Sequence, residues 1–176
     1  SRTHAGVDNF ATFCKMTVFE RAGDRVLVFL SSGNLAGTQA VIGVLKQGCD
    51  AIDSTPSLWT AKTMFDVANV VSDAVRKVER RAPHLSGSSV FNASFIFGGQ
   101  IKGEAPRLFR TYAEGNFIEA SSDTPYLQTG EAKYGKPILD RVITPTASLS
   151  DATKCVLVSF DSTMRSNLSV GMPIDL

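Results

Sequence analysis

The order in which two kinds of apolar pattern follow one another is the strongest constraint on the fold of this chain. Alternating apolar residues, which are typical of β-strands, come in groups, and apolar residues with helical spacing come in consecutive pairs between those groups. A doubly wound sheet needs single helices that alternate with strands, so this order excludes it. We therefore expect an α+β fold, a four-layer αββα sandwich of two antiparallel sheets packed face to face with a helix pair outside each.

The first half of the chain predicts a hairpin followed by two helices. Residues 15–21 and 25–30 are rich in Val, Phe, Met and Leu, and the Ala-Gly-Asp sequence at 22–24 is typical of a tight turn. Apolar residues with helical spacing predict a helix over 35–48. Over 64–78 they recur every three or four positions and predict a strongly amphipathic helix.

The second half predicts a second antiparallel sheet, two more helices and a final strand. Glycines and prolines separate three apolar stretches, which is typical of strands joined by turns. The last helix begins at Ser148 with the spacing of a capping box. The predicted elements are strands at 91–97, 108–112 and 116–120, helices at 133–142 and 148–165, and a strand at 171–176.

The glycine-rich segment 98–104 permits two interpretations. Its glycines would allow backbone amides to approach an anion, and Lys102 would add positive charge, as in a phosphate-binding loop. However, the segment lacks the Gly-Lys-Ser/Thr sequence, and no helical pattern follows it. The sequence therefore favours a hairpin turn built on Gly98-Gly99 and Lys102-Gly103.

The size and charge of the chain limit its class and its partners. With 176 residues, 43% of them hydrophobic, we expect one domain over residues 1–176. A formal net charge of +1 argues against nucleic-acid binding, and the apolar run at 26–30 is too short to cross a membrane. Three widely spaced cysteines favour a reducing, cytoplasmic location, and no spacing indicates a metal or cofactor site.

Two places in the first half of the chain could carry chemistry, and each also has an ordinary structural interpretation. The segment Ser31-Ser32-Gly33-Asn34 joins a predicted strand to a predicted helix, so its backbone N–H groups could stabilise an oxyanion or simply begin the helix. Lys15 could tune the pKa of a neighbouring group or extend its ammonium to water. Cys14 beside it could be a reactive thiolate, but without a placed histidine base the sequence favours an inert thiol.

Five runs of sequence, spread in order over essentially the whole chain, point to a known family. They are SRTHAG at 1–6, FCKM at 13–16, NASFIFGGQIKGE at 92–104, GEAKYGKPILD at 130–140 and STMRSNLSVG at 162–171. Together these runs resemble the bacterial proteasome-related family called Anbu, which is similar to proteasome β-subunits and belongs to the N-terminal-nucleophile hydrolases. The resemblance implies an αββα sandwich and a threonine-type peptidase or amidase. It also implies a large homo-oligomer, a ring or a spiral, that acts on peptide or protein substrates without a cofactor.

The resemblance also implies roles for four residues around an amino-terminal threonine, which would be the nucleophile and, through its amine, the base. Lys15 would lower the effective pKa of the threonine, and the backbone N–H of Gly33 would stabilise the oxyanion. Ser166 and Ser169 occupy the positions of an aspartate and a serine around the threonine amine of proteasome β-subunits. Ser169 keeps the residue type of the pattern, and Ser166 departs from it.

Further positions follow from the same resemblance. His4 and Leu35 fall where β-subunits line the substrate groove, and Glu131 stands near a serine of the proteasome pattern. In the family, the strand that carries the threonine precedes the match to Ser1, and the last strand continues past the match to Leu176. We therefore expect the nucleophile ahead of Ser1.

Two other interpretations share this fold. A non-catalytic structural subunit of a proteasome-like assembly is the main alternative, because proteasome architectures also contain inactive subunits. A small-molecule amidase of the same superfamily is the other. A processed amino-terminal threonine would favour the hydrolase over the structural subunit, and a closed pocket that excludes extended peptides would support the amidase.

Overall fold

The computed structural model describes residues 2–4, 10–12, 14–51, 55–81 and 91–176. Its internal contacts divide the chain into two compact units, Met16–Glu119 and Ser1–Lys15 with Ala120–Leu176. The α+β class predicted from the sequence is confirmed. The elements in the described ranges are β1 (Arg2–His4), β2 (Phe10–Thr12), β3 (Met16–Arg21), β4 (Arg25–Gly33), α1 (Leu35–Asp50), α2 (Met64–Glu79), β5 (Ala93–Ile101), β6 (Arg107–Thr111), β7 (Phe117–Glu119), α3 (Lys136–Val142) and α4 (Leu149–Ser166).

One five-stranded antiparallel sheet organises the unit Met16–Glu119, in the order β3-β4-β5-β6-β7. The predicted hairpin is confirmed as β3 and β4. The prediction that the later strands form a second sheet is wrong, because β5 pairs with β4 along its whole length, from Arg25↔Ile101 to Gly33↔Ala93. Apolar alternation identifies a strand and its buried face, but it does not specify which strand lies beside it.

Helices α1 and α2 pack against one face of this sheet. α2 begins at a capping box in which Thr63 and Asp66 each accept a hydrogen bond from the other's backbone N–H. Across the sheet, the ring of Phe97 stacks on Phe29 and on Phe109, with centroids 5.3 and 5.5 Å apart. Both helices form where the sequence predicts them, because their apolar stripes match the apolar face of the sheet.

The opposite face of the same sheet is also apolar. Val18, Val26, Leu30 and Ile118 lie on it and are 49, 41, 41 and 42% exposed. Val18, Val26 and Leu30 alternate along β3 and β4 with the buried residues that face the helices. An antiparallel sheet that has only one covered face normally carries polar residues on the other, so this pattern indicates a sheet built for cover on both faces.

Gly98 and Gly99 lie inside the central strand β5, so the prediction of a hairpin turn at these two residues is wrong. The turn comes later, where the Glu104 N–H donates to the Ile101 carbonyl at 2.9 Å. A Cβ on Gly99 would overlap the backbone carbonyl oxygen of Val26 on β4. A glycine is required here because two backbones approach closely. In the sequence, such a glycine cannot be distinguished from a glycine required by a turn.

The second unit contains β1, β2, α3 and α4. β1 pairs antiparallel with β2, with His4 opposite Phe10. α4 begins after Ser148, whose Oγ accepts a hydrogen bond from the Asp151 N–H at 3.1 Å, as the sequence predicts. The last strand predicted at 171–176 is wrong, because these residues pair with no strand in the described part of the chain. A short apolar segment becomes a strand only where a neighbour can accept its backbone hydrogen bonds.

Small side chains let α3 and α4 approach closely. Cys155, Ser159 and Thr163 form the buried face of α4. A Cβ on Gly135, directly before α3, would overlap Ser159 Oγ and would lie 2.8 Å from Thr163 Oγ1. The start of α3 is therefore fixed against the C-terminal half of α4.

A different side of α4 carries an exposed apolar stripe. Leu149, Leu157 and Phe160 are 86, 40 and 37% exposed, and their spacing places them on one side of the helix.

No helix in the described ranges is both long enough and apolar enough to cross a membrane.

Candidate functional site

Lys15 directly precedes β3 and is half-buried, and its neighbour Cys14 is exposed. The Cys14 thiol donates to the carboxylate of Asp175, with 3.9 Å between Sγ and Oδ2. In this contact the thiol acts as a hydrogen-bond donor, as an ordinary protonated thiol does. Of the two adjacent residues, Lys15 is the stronger candidate for a role in catalysis.

Gly33 ends β4 in a conformation that favours glycine, with a φ of 95°. A Cβ at this position would overlap the backbone carbonyl oxygen of Asn92, which accepts a hydrogen bond from the Asn34 N–H at 2.7 Å. The Asn34 side chain then accepts from the Gly37 N–H at 3.0 Å and caps α1. The segment is thus an ordinary helix entry, and it also fixes the backbone of Gly33.

The same hydrogen bond determines where the Gly33 amide points. Successive N–H groups of an antiparallel strand point to opposite edges. Asp24 and Asn34 both bond to residues at the ends of β5, and in the register between them the even positions, including Ser32, face β5. The Gly33 N–H lies opposite the Ser32 carbonyl in their shared trans peptide, so it points to the β3 edge of β4. On that edge the register between β3 and β4 ends at Met16↔Leu30, before it reaches Gly33. This orientation suits a donor to a negatively charged oxygen.

Gly33→Ala is expected to destabilise the fold more than alanine at a glycine with a similar backbone and free space. Gly103 is the matched control, because its φ is 87° and an added Cβ would have no atom within 4 Å of it. The positive φ alone costs about 1–2 kcal/mol in either variant, and the overlap with Asn92 adds at least about 1 kcal/mol. Urea unfolding measures the difference, and equal losses for the two variants would contradict the close approach at Asn92.

The two residues assigned to the substrate groove lie on different elements. Leu35 is the first residue of α1 and is half-buried, directly after the Gly33-Asn34 entry. His4 ends β1, where its backbone pairs with that of Phe10. Because Leu35 is only two residues after Gly33 in the chain, it lies close to the Gly33 N–H.

Ser166 and Ser169 lie at the C-terminal end of α4, one on each side of Asn167. Ser166 is the last residue of the helix, and both serines are exposed. The Asn167 N–H donates to the Thr163 carbonyl at 2.8 Å and ends the helix. The Asn167 side-chain oxygen accepts from the Ser169 N–H at 2.8 Å, and its amide nitrogen donates to Glu131 Oε2 at 2.7 Å.

Glu131 is held in place by its own segment. Its Oε1 accepts from the Lys133 N–H at 2.7 Å, and its carbonyl accepts from Gln128 Nε2 at 2.8 Å. The Lys133 N–H and the Asn167 amide lower the pKa of Glu131 below its usual range. The sequence indicated Glu131 but missed Asn167, although an asparagine directly after a helix is a known C-terminal signal.

The predicted site residues thus provide a lysine, a backbone donor and two exposed hydroxyl groups. Lys15 can stabilise a negative charge, Gly33 can donate to an oxyanion, and Ser166 and Ser169 can hydrogen-bond an amine. Among the described residues, no group of three or more His, Cys, Asp or Glu side chains could hold a metal ion.

Comparison with solved structures finds relatives over nearly the whole chain. Anbu (ancestral beta-subunit) from Yersinia bercovieri is 48% identical with a TM-score of 0.90, and the match covers 98% of this chain and 71% of that one. Anbu from Hyphomicrobium sp. strain MC1 is 54% identical with a TM-score of 0.87, with coverage of 98% and 71%.

A third relative is described as a helical assembly of the Anbu complex from Pseudomonas aeruginosa. It is 48% identical with a TM-score of 0.91, and the match covers 98% of this chain and 71% of that one. No protein-family model matches the chain. No curated protein matches it either.

Proposed function

Because the chain belongs to the Anbu family of proteasome-related subunits, we propose that it is a threonine hydrolase subunit that cleaves peptide or other amide bonds. The nucleophile is an amino-terminal threonine, which is not among residues 1–176. Lys15, Gly33, Ser166 and Ser169 support the reaction. The family relationship and the backbone geometry at Gly33 support this proposal.

The reaction follows from these groups. The threonine hydroxyl attacks the carbonyl carbon, the threonine amine takes the hydroxyl proton, and Lys15 favours the loss of that proton through its positive charge. The carbonyl oxygen becomes an oxyanion that accepts from the Gly33 N–H. The C–N bond then breaks and the leaving nitrogen takes the proton, which leaves an ester on the threonine. Water hydrolyses this ester and restores the free threonine.

The orientation of Gly33 is the observation that carries the proposal. Its amide points to the β3 edge of β4, and Lys15 is bonded directly to the first residue of β3. A preorganised backbone donor to an oxyanion typically contributes about 2.7–4 kcal/mol to catalysis. His4 and Leu35 are proposed to line the substrate groove.

We also propose the four-layer sandwich that the resemblance implies. The sheet of Met16–Glu119 has a second apolar face that includes Val18 and Val26, and α4 has an exposed apolar stripe that includes Leu157. A second antiparallel sheet between such faces would bury both of them. The single domain expected over 1–176 is part of this proposal.

The proposed setting is a cytoplasmic homo-oligomer, a ring or a spiral, without a cofactor and without nucleic-acid or membrane partners. The relative from Pseudomonas aeruginosa forms a helical assembly, and a chain of similar fold and 48% identity is expected to self-associate as well. Peptide or protein substrates would reach the threonine inside this assembly.

A non-catalytic structural subunit is the second candidate. One observation favours it: Ser166 is an uncharged, exposed hydroxyl where the proteasome pattern has an aspartate. A serine stabilises the cationic form of an amine less than a carboxylate does.

Intact mass and amino-terminal sequencing, before and after treatment with an epoxyketone that reacts with amino-terminal threonine, test the proposal. The protein is expressed from its complete reading frame. We expect a free threonine terminus, one adduct per chain, and a light-scattering mass many times that of one chain. An assembled protein with an unreactive terminus would support the structural subunit, and a stable monomer would contradict both candidates.

A further inference from the structure

We propose that Glu131 and Asn167 form a positioning pair that orients the hydroxyl groups of Ser166 and Ser169. The inference rests on the proposed function, because these hydroxyl groups matter only if they face the amine of the nucleophile. Neither Glu131 nor Asn167 touches the reacting atoms in this proposal.

Asn167 is the central residue of the pair, because all its polar groups are used. Its backbone N–H ends α4 at Thr163, its carbonyl accepts from the Val170 N–H at 3.1 Å, and its side-chain oxygen accepts from the Ser169 N–H at 2.8 Å. Asn167 is covalently adjacent to Ser166, which the helix holds from the other side. These bonds determine the path of the chain from Ser166 to Ser169.

Glu131 fixes the orientation of the Asn167 side chain. An asparagine amide can rotate by 180°, which would exchange its oxygen and its nitrogen. The Glu131 carboxylate accepts from the nitrogen at 2.7 Å, so the oxygen must face the Ser169 N–H. The Ser169 N–H favours the same orientation, so the Glu131 carboxylate and this amide together hold the Asn167 oxygen in place.

The segment that carries Glu131 is itself anchored on α4. The Lys133 N–H holds the other carboxylate oxygen, and Gly135 packs against Ser159 and Thr163 on the buried face of the helix. The Glu131 side chain is thus held by the backbone of its own segment, and that segment packs on α4 four residues later. The pair brings a carboxylate to the turn where Ser166 replaces the aspartate of the proteasome pattern.

The hydrogen bonds specify a donor and acceptor exchange as the test. In Glu131→Gln, the oxygen that remains accepts from Lys133, and the new amide nitrogen faces the nitrogen of Asn167. In Asn167→Asp, two carboxylate oxygens face each other. In the double variant, the amide of residue 131 donates to the carboxylate of residue 167, and the Ser169 N–H keeps its acceptor.

We expect each single variant to slow threonine labelling by the epoxyketone by about tenfold and the double variant to restore the rate to within about threefold of wild type. Glu114→Gln, at an exposed position in the other unit, is the matched control and should label normally. Melting temperatures must stay close to that of wild type. Normal labelling of both single variants, or no recovery in the double variant, would overturn the pair.

Hydrogen exchange of the peptide that contains the Ser169 amide separates this inference from the proposed function. We expect faster exchange in both single variants and wild-type protection in the double variant. If the wild-type protein is not labelled at all, the proposed hydrolase fails and the exchange data still decide the pair. If the wild type is labelled but hydrogen exchange is unchanged in all variants, the proposed role of the Glu131–Asn167 pair is contradicted, and the proposed hydrolase function stands.

Discussion

Lys15→Ala is expected to reduce covalent labelling of the amino-terminal threonine at least about 100-fold, with little loss of folding stability. Lys15 precedes β3 and is half-buried, so its ammonium interacts with a nearby negative charge more strongly than a fully exposed lysine does. In the proposed mechanism it favours the deprotonated threonine hydroxyl. The rate of adduct formation by intact mass measures this effect.

Two variants control for the change of charge and size. Lys46→Ala removes an exposed lysine from α1 and should label at the wild-type rate. Lys15→Arg keeps the charge but replaces a compact ammonium by a larger planar group, so we expect it to restore little of the rate. Undiminished labelling of Lys15→Ala would contradict a catalytic role for Lys15. It would not affect the proposal that the protein is a homo-oligomer.

Gly99→Ala is expected to destabilise the sheet by about 3 kcal/mol or more. The new Cβ would overlap the Val26 carbonyl oxygen and would lie 3.0 Å from the Leu27 backbone. β5 is paired on both sides, with β4 and with β6, so a shift that relieves this overlap would disturb two ladders. Chemical denaturation followed by circular dichroism measures the loss.

Gly43→Ala is the matched control for this prediction. Gly43 lies within α1, and no atom lies within 4 Å of an added Cβ. Alanine has the higher helix propensity, so we expect this variant to gain about 0.5–1 kcal/mol. A loss below about 1 kcal/mol for Gly99→Ala would mean that β4 and β5 separate easily at this point.

Local signals predicted the elements well where a few neighbouring residues specify them. The capping residue Ser148 begins α4, and the turn after Arg21 joins β3 to β4. The signal at Gly98-Gly99 was misleading, because glycine is required both by turns and by backbones that approach closely. Which requirement applies depends on β4, which is far away in the sequence.

In the candidate site, too, the sequence indicated individual residues but not the distant contacts that hold them. Lys15, Gly33, Ser166 and Ser169 were identified by resemblance to family motifs, which do not indicate how each residue is held. The contact between Glu131 and Asn167 joins side chains 36 positions apart. No local pattern predicts such a contact, because both residues are also common in ordinary solvent-exposed loops.

By itself, the sequence determined the type and approximate limits of the helices and of most strands, and its motifs indicated the family. Capping, turn formation and apolar periodicity act over a few residues, so the sequence records them directly. Only the tertiary structure decided that β3 to β7 form one sheet, that residues 171–176 pair with no described strand, and that Glu131 orients Asn167. Those outcomes depend on which distant backbones and side chains satisfy one another's hydrogen bonds, and that is settled when the chain packs.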